Sequence, residues 1–366
     1  MYNNQKIRKR IDWIDIGKGI GIFYVMLSHK EMGILAGHIT SLFMPLFFFL
    51  SGCTFSIKDN DTFKTFLRRK SKSLVVPYLA ISTLLYGIYI SKFIIKFLLQ
   101  HSSIQLNNFI TPFVGYLYSV PFLYDIKKAK ILGINNPNLV ISTFNPFWFI
   151  LCLFVMEIIF YFIVSTSKNK KQIIIKMVAC AFTGYLINTF IIIQLPWSID
   201  KALSSIIFLG LGYLIKNMNI SPEIDWKKVI LIIIFTIINI TFYKLNSFVN
   251  ISTREYGNYF YFYIAAISGI GIYIIISQVI AKKINILKKF FVFIGQNTFT
   301  LLSFHLITYS IVDKIFSILK INLEKIQNTI FYGAIYAVLT IIILLPVITV
   351  INKKVPWIVG KKVSSS

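Results

Sequence analysis

The chain has 366 residues, of which 56% are hydrophobic, and its mean hydropathy is +0.73. Soluble domains are typically about 45–50% apolar, so this composition excludes an ordinary soluble globular protein. A formal net charge of +25 is also typical of nucleic-acid-binding proteins. Here, however, the basic residues flank long apolar runs, and we therefore predict no nucleic-acid partner.

The apolar runs are the main feature of the chain. Ten of them are long enough to be predicted as membrane-spanning helices, and they cover residues 13–30, 39–57, 74–99, 147–165, 173–193, 199–215, 229–243, 258–281, 290–311 and 328–351. We therefore predict an all-α polytopic protein of about ten transmembrane helices in a lipid bilayer. We expect residues 1–366 to form a single membrane-embedded domain with no appended soluble domain.

The segments between these spans alternate in charge. Every second segment, counted from the N-terminus, belongs to one set, which includes both chain ends. This set holds 24 of the 38 lysines and arginines. Short cytoplasmic segments carry the basic excess in membrane proteins, so both termini are predicted to be cytoplasmic. The three cysteines all fall inside predicted spans and show neither metal-ligand spacing nor a disulfide framework, so we expect no metal.

The first span, DIGKGIGIFYVMLSHK at residues 15–30, contains a lysine and a histidine. Ionisable groups inside a bilayer are costly and usually mark function. Lys18 and His29 are eleven residues apart, which on a helix places them on one face and about 16.5 Å apart along the axis. Lys18 can hold an anionic donor that enters from the cytoplasm, and a desolvated neutral His29 can accept a proton.

Purely structural roles are equally open to the polar residues of this span. Lys18 either extends to the cytoplasmic surface or neutralises Asp15, and His29 either caps the helix or lies in the outer interface. Small residues also let a neighbouring helix or a ligand approach closely. Close helix packing is the favoured role of the three glycines at positions 17, 19 and 21.

Five segments, in chain order, resemble the integral-membrane acyltransferase family that O-acetylates bacterial cell-surface polysaccharides. The first carries the Lys18 and His29 pair, a basic residue followed after ten positions by histidine, and is similar to the first helix of the family. The others are MPLFFFLSGCTF (44–55), FLRRKSKSLVVPYL (66–79), NPFWFILCLF (145–154) and FIGQNTFTLLSFH (293–305). Any one segment is weak evidence, but five in the family's order are strong together.

The resemblance implies an O-acetyltransferase that moves an acetyl group from cytoplasmic acetyl-CoA to a sugar hydroxyl of a cell-surface or lipid-linked polysaccharide. Acetyl-CoA is then a co-substrate, and no permanently bound cofactor is expected. The resemblance also implies a multi-pass protein of the bacterial cytoplasmic membrane. His29 is implied as the essential catalytic residue, either as a general base or as a relay that carries the acetyl group covalently.

Basic residues of the second cytoplasmic segment are candidates for the donor site. Phosphates of the donor would contact Lys18 together with Arg68, Arg69, Lys70 and Lys72. These last four residues also suffice to fix the topology. Many relatives have arginine where this chain has Lys18, and a lysine lacks the bidentate geometry of a guanidinium.

A second group of polar residues is predicted to support the acceptor side. Thr298 precedes His305 by seven residues and so shares its helix face. His305 either lines the acceptor side or is a buried histidine that is hydrogen-bonded to a backbone carbonyl or to a serine or threonine hydroxyl. The remaining candidates are Asn297, Trp148 and Ser51. Trp148 stacks on a sugar or anchors the chain at the interface, and Ser51 with Gly52 either ends the second span or offers backbone N–H groups to an anion.

The chain departs from the family pattern at one acidic position, and two rival functions are open to it. Glu157 stands where some relatives have paired glutamates, and we expect a neighbouring helix to satisfy its charge. One rival function is a transporter or flippase for a lipid-linked glycan, although the two halves of the chain show no matched broken helices. A subunit of a polysaccharide export complex is the other.

Overall fold

The computed structural model describes residues 11–30, 34–58, 61–100, 106–125, 128, 131–133, 147–216, 223, 225–246, 248–327 and 329–361, with backbone alone at 34–40, 96, 100 and 108. Residues 145 and 146, which begin the NPFWFILCLF segment, and both chain ends lie outside the described residues.

The described residues are almost entirely helical. The helices are α1 (Asp12–Ser28), α2 (Ile34–Thr54), α3 (Phe63–Lys70), α4 (Val76–Gln100), α5 (Asn107–Tyr118), α6 (Trp148–Ser165), α7 (Lys170–Phe190), α8 (Ile199–Ile215), α9 (Trp226–Leu245), α10 (Tyr259–Lys283), α11 (Asn285–Gln296), α12 (Thr298–Ile318) and α13 (Ile330–Lys354). A π-helical turn, Ser71–Val75, joins α3 to α4.

Eight helical segments among the described residues are long and apolar enough to cross a membrane. This confirms the predicted all-α polytopic architecture. The two remaining predicted spans correspond to shorter elements, because α1 has 17 residues and the apolar part of α2 that qualifies is Ser41–Thr54. Each of the eight segments corresponds to one of the other predicted spans.

The predicted continuous span at 290–311 is wrong. The chain leaves helical geometry at Asn297, where φ is −116° and ψ is 17°, so that α11 and α12 are separate helices. The Asn297 amide donates to the Phe293 carbonyl (2.8 Å) and its Oδ1 accepts hydrogen bonds from Asn352 and Lys361. An apolar window cannot reveal such a break, because side-chain hydrogen bonds rather than hydropathy stabilise it.

Helix α1 packs closely against α11, with backbone on backbone. A Cβ atom at Gly19 would collide with the Phe291 carbonyl, and one at Gly295 would collide with the Asp15 carbonyl. Each glycine therefore admits the backbone of the other helix, as in other membrane helix pairs that use small residues. For Gly19 this confirms the expected role in close helix packing.

We expect Gly295→Ala to lower the free energy of unfolding by about 1–3 kcal/mol, since overpacking forces a backbone shift. The matched control is Gly87→Ala in α4, where an added Cβ meets nothing within 4 Å. The control should be neutral or slightly stabilising, because alanine favours helix more than glycine. Thermal unfolding of the purified protein in detergent measures both changes, and equal midpoints for the two variants would contradict the packing argument.

Helix α2 continues through Ser51 and Gly52 and ends at Thr54. The helix thus ends within one turn of Ser51 and Gly52, which agrees with the predicted alternative of a helix end. A Cβ atom at Gly52 would collide with the Leu209 carbonyl of α8. Gly52 lets α2 and α8 come into backbone contact, so this glycine marks a helix crossing close to the end of α2.

The connections between helices define two ends of the bundle. One end, called the His29 end here, carries residues 29–30, 191–198, 248–258 and 319–327. The other, called the Arg68 end, carries residues 55–58, 61–62, 166–169 and 355–361. Which end faces the cytoplasm remains a prediction from the charge pattern, and the Arg68 end is the more basic of the two.

Candidate functional site

A cavity of about 270 Å³ lies at the His29 end of the bundle. Helices α1, α2, α6 and α12 and the segment before α10 form its walls. The lining residues are Val25, Ser28, His29, Phe43, Met44, Trp148, Asn250, Ile251, Ser252 and Leu302. Two residues singled out in the sequence, His29 and Trp148, thus border one cavity.

His29 is the residue that ends α1. Its backbone stays close to helical geometry (φ −75°, ψ −12°), and its N–H donates to the Met26 carbonyl at 3.3 Å. The helix therefore ends next to the cavity, and the imidazole of His29 is exposed there. A residue at a helix end can present its imidazole without opening the packed core.

His305 is the buried partner of His29. The two ring centroids are 5.0 Å apart, with an angle of 45° between the ring planes. His305 is fully buried in α12, and its Nδ1 lies 2.9 Å from the Leu302 carbonyl oxygen and 3.2 Å from that of Leu301. The structure therefore brings His29, Trp148 and His305 together, as the sequence alone could not establish.

The hydrogen bonds of His305 define its tautomer. A carbonyl oxygen can only accept, so Nδ1 carries the hydrogen and Nε2 of the neutral ring is left as an acceptor. Among the described residues Nε2 has no hydrogen-bond partner. Because a buried acceptor without a donor is costly, this atom is suited to receive a hydrogen bond from a ligand or from His29.

Trp148 is backed by a lysine that sequence reasoning missed. The Lys201 ammonium lies 5.5 Å from the Trp148 ring centroid and is fully buried. It donates to Gln194 Oε1 at 2.7 Å and to Ser198 Oγ at 3.4 Å. These contacts hold the cation behind the indole and fix one wall of the cavity.

An ion pair ties two segments at the His29 end together. Arg254 Nη1 lies 3.4 Å from Asp200 Oδ2, and neither side chain is exposed. The guanidinium also donates to the backbone carbonyls of residues 187, 188, 191 and 193. It thereby anchors the segment that supplies Asn250 and Ser252 to the cavity. The sequence contained one sign of this buried polar site, because Asp200 and Lys201 are adjacent ionisable residues within a predicted apolar span.

The predicted donor residues lie away from this cavity. Lys18 is half-buried and does not line it. At the Arg68 end, Arg68 and Lys72 are exposed. Arg69 is held by Asp61, at 2.5 Å, and by the Ser56 carbonyl, so Arg68 and Lys72 are the more accessible members of this basic group.

Glu157 is neutralised across helices. Its Oε1 lies 2.7 Å from the Lys70 ammonium, and the carboxylate is buried in α6. This confirms the expectation that a neighbouring helix satisfies the charge. The pair packs the α3 end against α6, and Lys70 is accordingly less available to a ligand than Arg68.

Three further predicted residues do not border the His29 cavity. Asn297 lies at the break between α11 and α12, bonded to Asn352 and Lys361 at 2.9 Å each. Thr298 donates to the Gly295 carbonyl at 2.8 Å, and Ser51 lies in the last turn of α2 at the Arg68 end. The structure therefore separates these three from His305, and it groups no three described residues as possible metal ligands.

Comparison with known proteins identifies the family. A family model described as an acyltransferase domain, acyltransferase family 3, matches residues 11–349. No curated protein and no solved structure matches the chain. Since the match extends over nearly all of the 366 residues, from the start of α1 to the last turns of α13, the chain belongs to acyltransferase family 3 and is a multi-pass membrane protein of that family.

Proposed function

We propose that the protein is an O-acetyltransferase of the bacterial cytoplasmic membrane, with acetyl-CoA as donor and a sugar hydroxyl of a cell-surface or lipid-linked polysaccharide as acceptor. The observation that carries this proposal is the His29 imidazole, which lines the cavity and contacts the buried imidazole of His305. The family provides acyl transfer, and the imidazoles provide the proton chemistry that a hydroxyl acceptor needs.

The proposed reaction needs one base and one leaving group. The acceptor oxygen attacks the acetyl carbonyl carbon as His29 takes the hydroxyl proton. The C–O ester bond forms, the thioester C–S bond breaks, and the thiolate of CoA leaves and receives the proton. In the relay variant, His29 first takes the acetyl group from sulfur and then gives it to the hydroxyl oxygen.

His305 is assigned a positioning role in this scheme. Its Nε2 accepts a hydrogen bond from an N–H of His29, because Nδ1 is committed to the backbone carbonyls of Leu301 and Leu302. Accepting from His29 would fix which His29 nitrogen carries the hydrogen. The other nitrogen is then free to face the hydroxyl.

The donor is proposed to approach from the Arg68 end. Arg68 and Lys72 are accessible cations there, and Lys18 is a further positive charge about 16.5 Å along α1 from His29. Phosphates of the donor would contact these cations. The acceptor approaches from the His29 end, where the aromatic Trp148 and the polar Asn250 and Ser252 line the cavity.

Surface glycan from wild-type cells and from cells that lack this protein provides the direct test. We expect NMR to show alkali-labile acetyl esters at one sugar position in the wild-type glycan and their loss in the deletion strain. The amount of glycan should be unchanged. A reduced amount of glycan with unaltered acetylation per sugar would favour a transporter, and unchanged acylation of every surface glycan would contradict the proposal.

A further inference from the structure

A line of aromatic rings leads from the imidazole pair to a second cavity. His305 meets Tyr309 edge to face at 5.8 Å between centroids, and Tyr309 meets Tyr336 at 5.5 Å. Tyr336 in turn meets Tyr332 at 4.9 Å. These packed rings link His305 to Tyr336 and Tyr332, two residues that line the second cavity.

This second cavity is called the Asp313 groove. Its volume is about 390 Å³, and its lining residues are Asp313, Phe316, Ser317, Lys320, Ile321, Asn322, Leu323, Glu324, Gln327, Tyr332 and Tyr336. The groove therefore combines aromatic rings with amide, carboxylate and hydroxyl groups. Most of its polar side chains are exposed and can form hydrogen bonds with a ligand.

Lys30, the residue after His29, contacts two residues that line the groove, Asp313 and Tyr336. Its ammonium lies 2.9 and 3.0 Å from the two carboxylate oxygens of Asp313 and 4.3 Å from the Tyr336 ring centroid. Tyr336 also donates to Asp313 Oδ1 at 2.5 Å. The Asp313 charge is thus compensated, and this part of the groove is not a cation site.

We propose that the Asp313 groove binds a saccharide unit of the acceptor chain, adjacent to the unit that His29 acetylates. The proposal rests on the proposed function. A sugar ring has an apolar face of C–H groups and a rim of hydroxyls, which match a cavity that offers rings beside hydrogen-bonding side chains. Asp313 of the groove forms a salt bridge with Lys30, the residue next to His29, so the groove lies beside the place where His29 would act.

Steady-state kinetics with acceptors of different length test this assignment. The variants are Gln327→Ala, which removes an exposed amide, and Tyr332→Ala, which removes a ring face. Each is expected to raise KM for an oligosaccharide acceptor about tenfold, with kcat unchanged. KM for a monosaccharide acceptor should stay the same in the same preparation, and this comparison corrects for any loss of folded protein.

Lys325→Ala is the matched control, since Lys325 lies in the same segment and is exposed but does not line the groove. Equal KM values in wild type and both groove variants would overturn the groove assignment alone. A wild-type protein that acetylates no sugar acceptor of any length would overturn the proposed function as well. If the groove variants bind vesicles of anionic phospholipid more weakly than wild type does and their KM for the acceptor is unaltered, the groove is a lipid headgroup site. This result would also overturn the proposal.

Discussion

Replacing His29 with alanine is expected to lower the rate of acetyl transfer by about 10²–10⁴-fold, the usual contribution of a general base. The loss should fall on kcat, because the residue ends a helix and contributes little packing. Release of CoA thiol by the purified protein, with a sugar acceptor present, measures the rate. Lys314→Ala, at an exposed position of α12, should leave the rate unaltered.

A double variant that lacks both imidazoles tests whether His29 and His305 act together. If His305 acts through His29, adding His305→Ala to His29→Ala should cost little more than the single change, since residues that act as a unit are not additive. Additive losses would show that the two imidazoles act separately. The covalent relay can be tested with a radiolabelled acetyl donor and no acceptor. If the quenched protein retains the labelled acetyl group, the covalent relay is favoured over the general base.

Breaking the buried pair of Asp200 and Arg254 should produce the largest loss of stability. We expect Asp200→Ala to lower the free energy of unfolding by about 3–5 kcal/mol, because a buried guanidinium is left without its counter-charge. Its remaining hydrogen bonds go to neutral carbonyls and do not replace a carboxylate. Thermal unfolding in detergent, followed by tryptophan fluorescence, measures the change.

An exposed ion pair provides the control for this experiment. Lys288 and Asp12 lie 2.6 Å apart, but their side chains are 34% and 45% exposed. Lys288→Ala should therefore cost no more than about 1 kcal/mol. A similar loss in both variants would mean that burial does not set the cost, and Asp200→Ala with unchanged stability would contradict the role assigned to the pair.

Most of the spans were predictable because long apolar runs determine them. Long apolar runs between basic segments define α6 to α10 and α13 within a few residues of the predicted limits. The imidazole at position 29 was also conspicuous, since an ionisable group in an apolar run usually marks function. That His305 lies against it could not be predicted, because the contact depends on how α12 packs beside α1.

Features created by tertiary contact were the ones that sequence reasoning missed. Asp200 and Arg254 are 54 positions apart in the sequence, and only the folding of two segments onto each other brings them together. The helix crossing at Gly52 was not predicted, because it depends on the α8 backbone that lies beside this glycine. Asn297 breaks a span through hydrogen bonds to residues near the far end of the chain.

The backbone contact of α1 with α11 constrains how a thioester could travel from the Arg68 end towards His29. No side chain separates the two backbones at Gly19 and Gly295, so this flank of α1 has no rotamer that can swing aside. On the opposite flank, Phe47 and Leu50 of α2 pack against α1, and both can change χ angles at modest cost. The mobile wall of any donor passage should therefore belong to α2, while α1 and α11 move as one body.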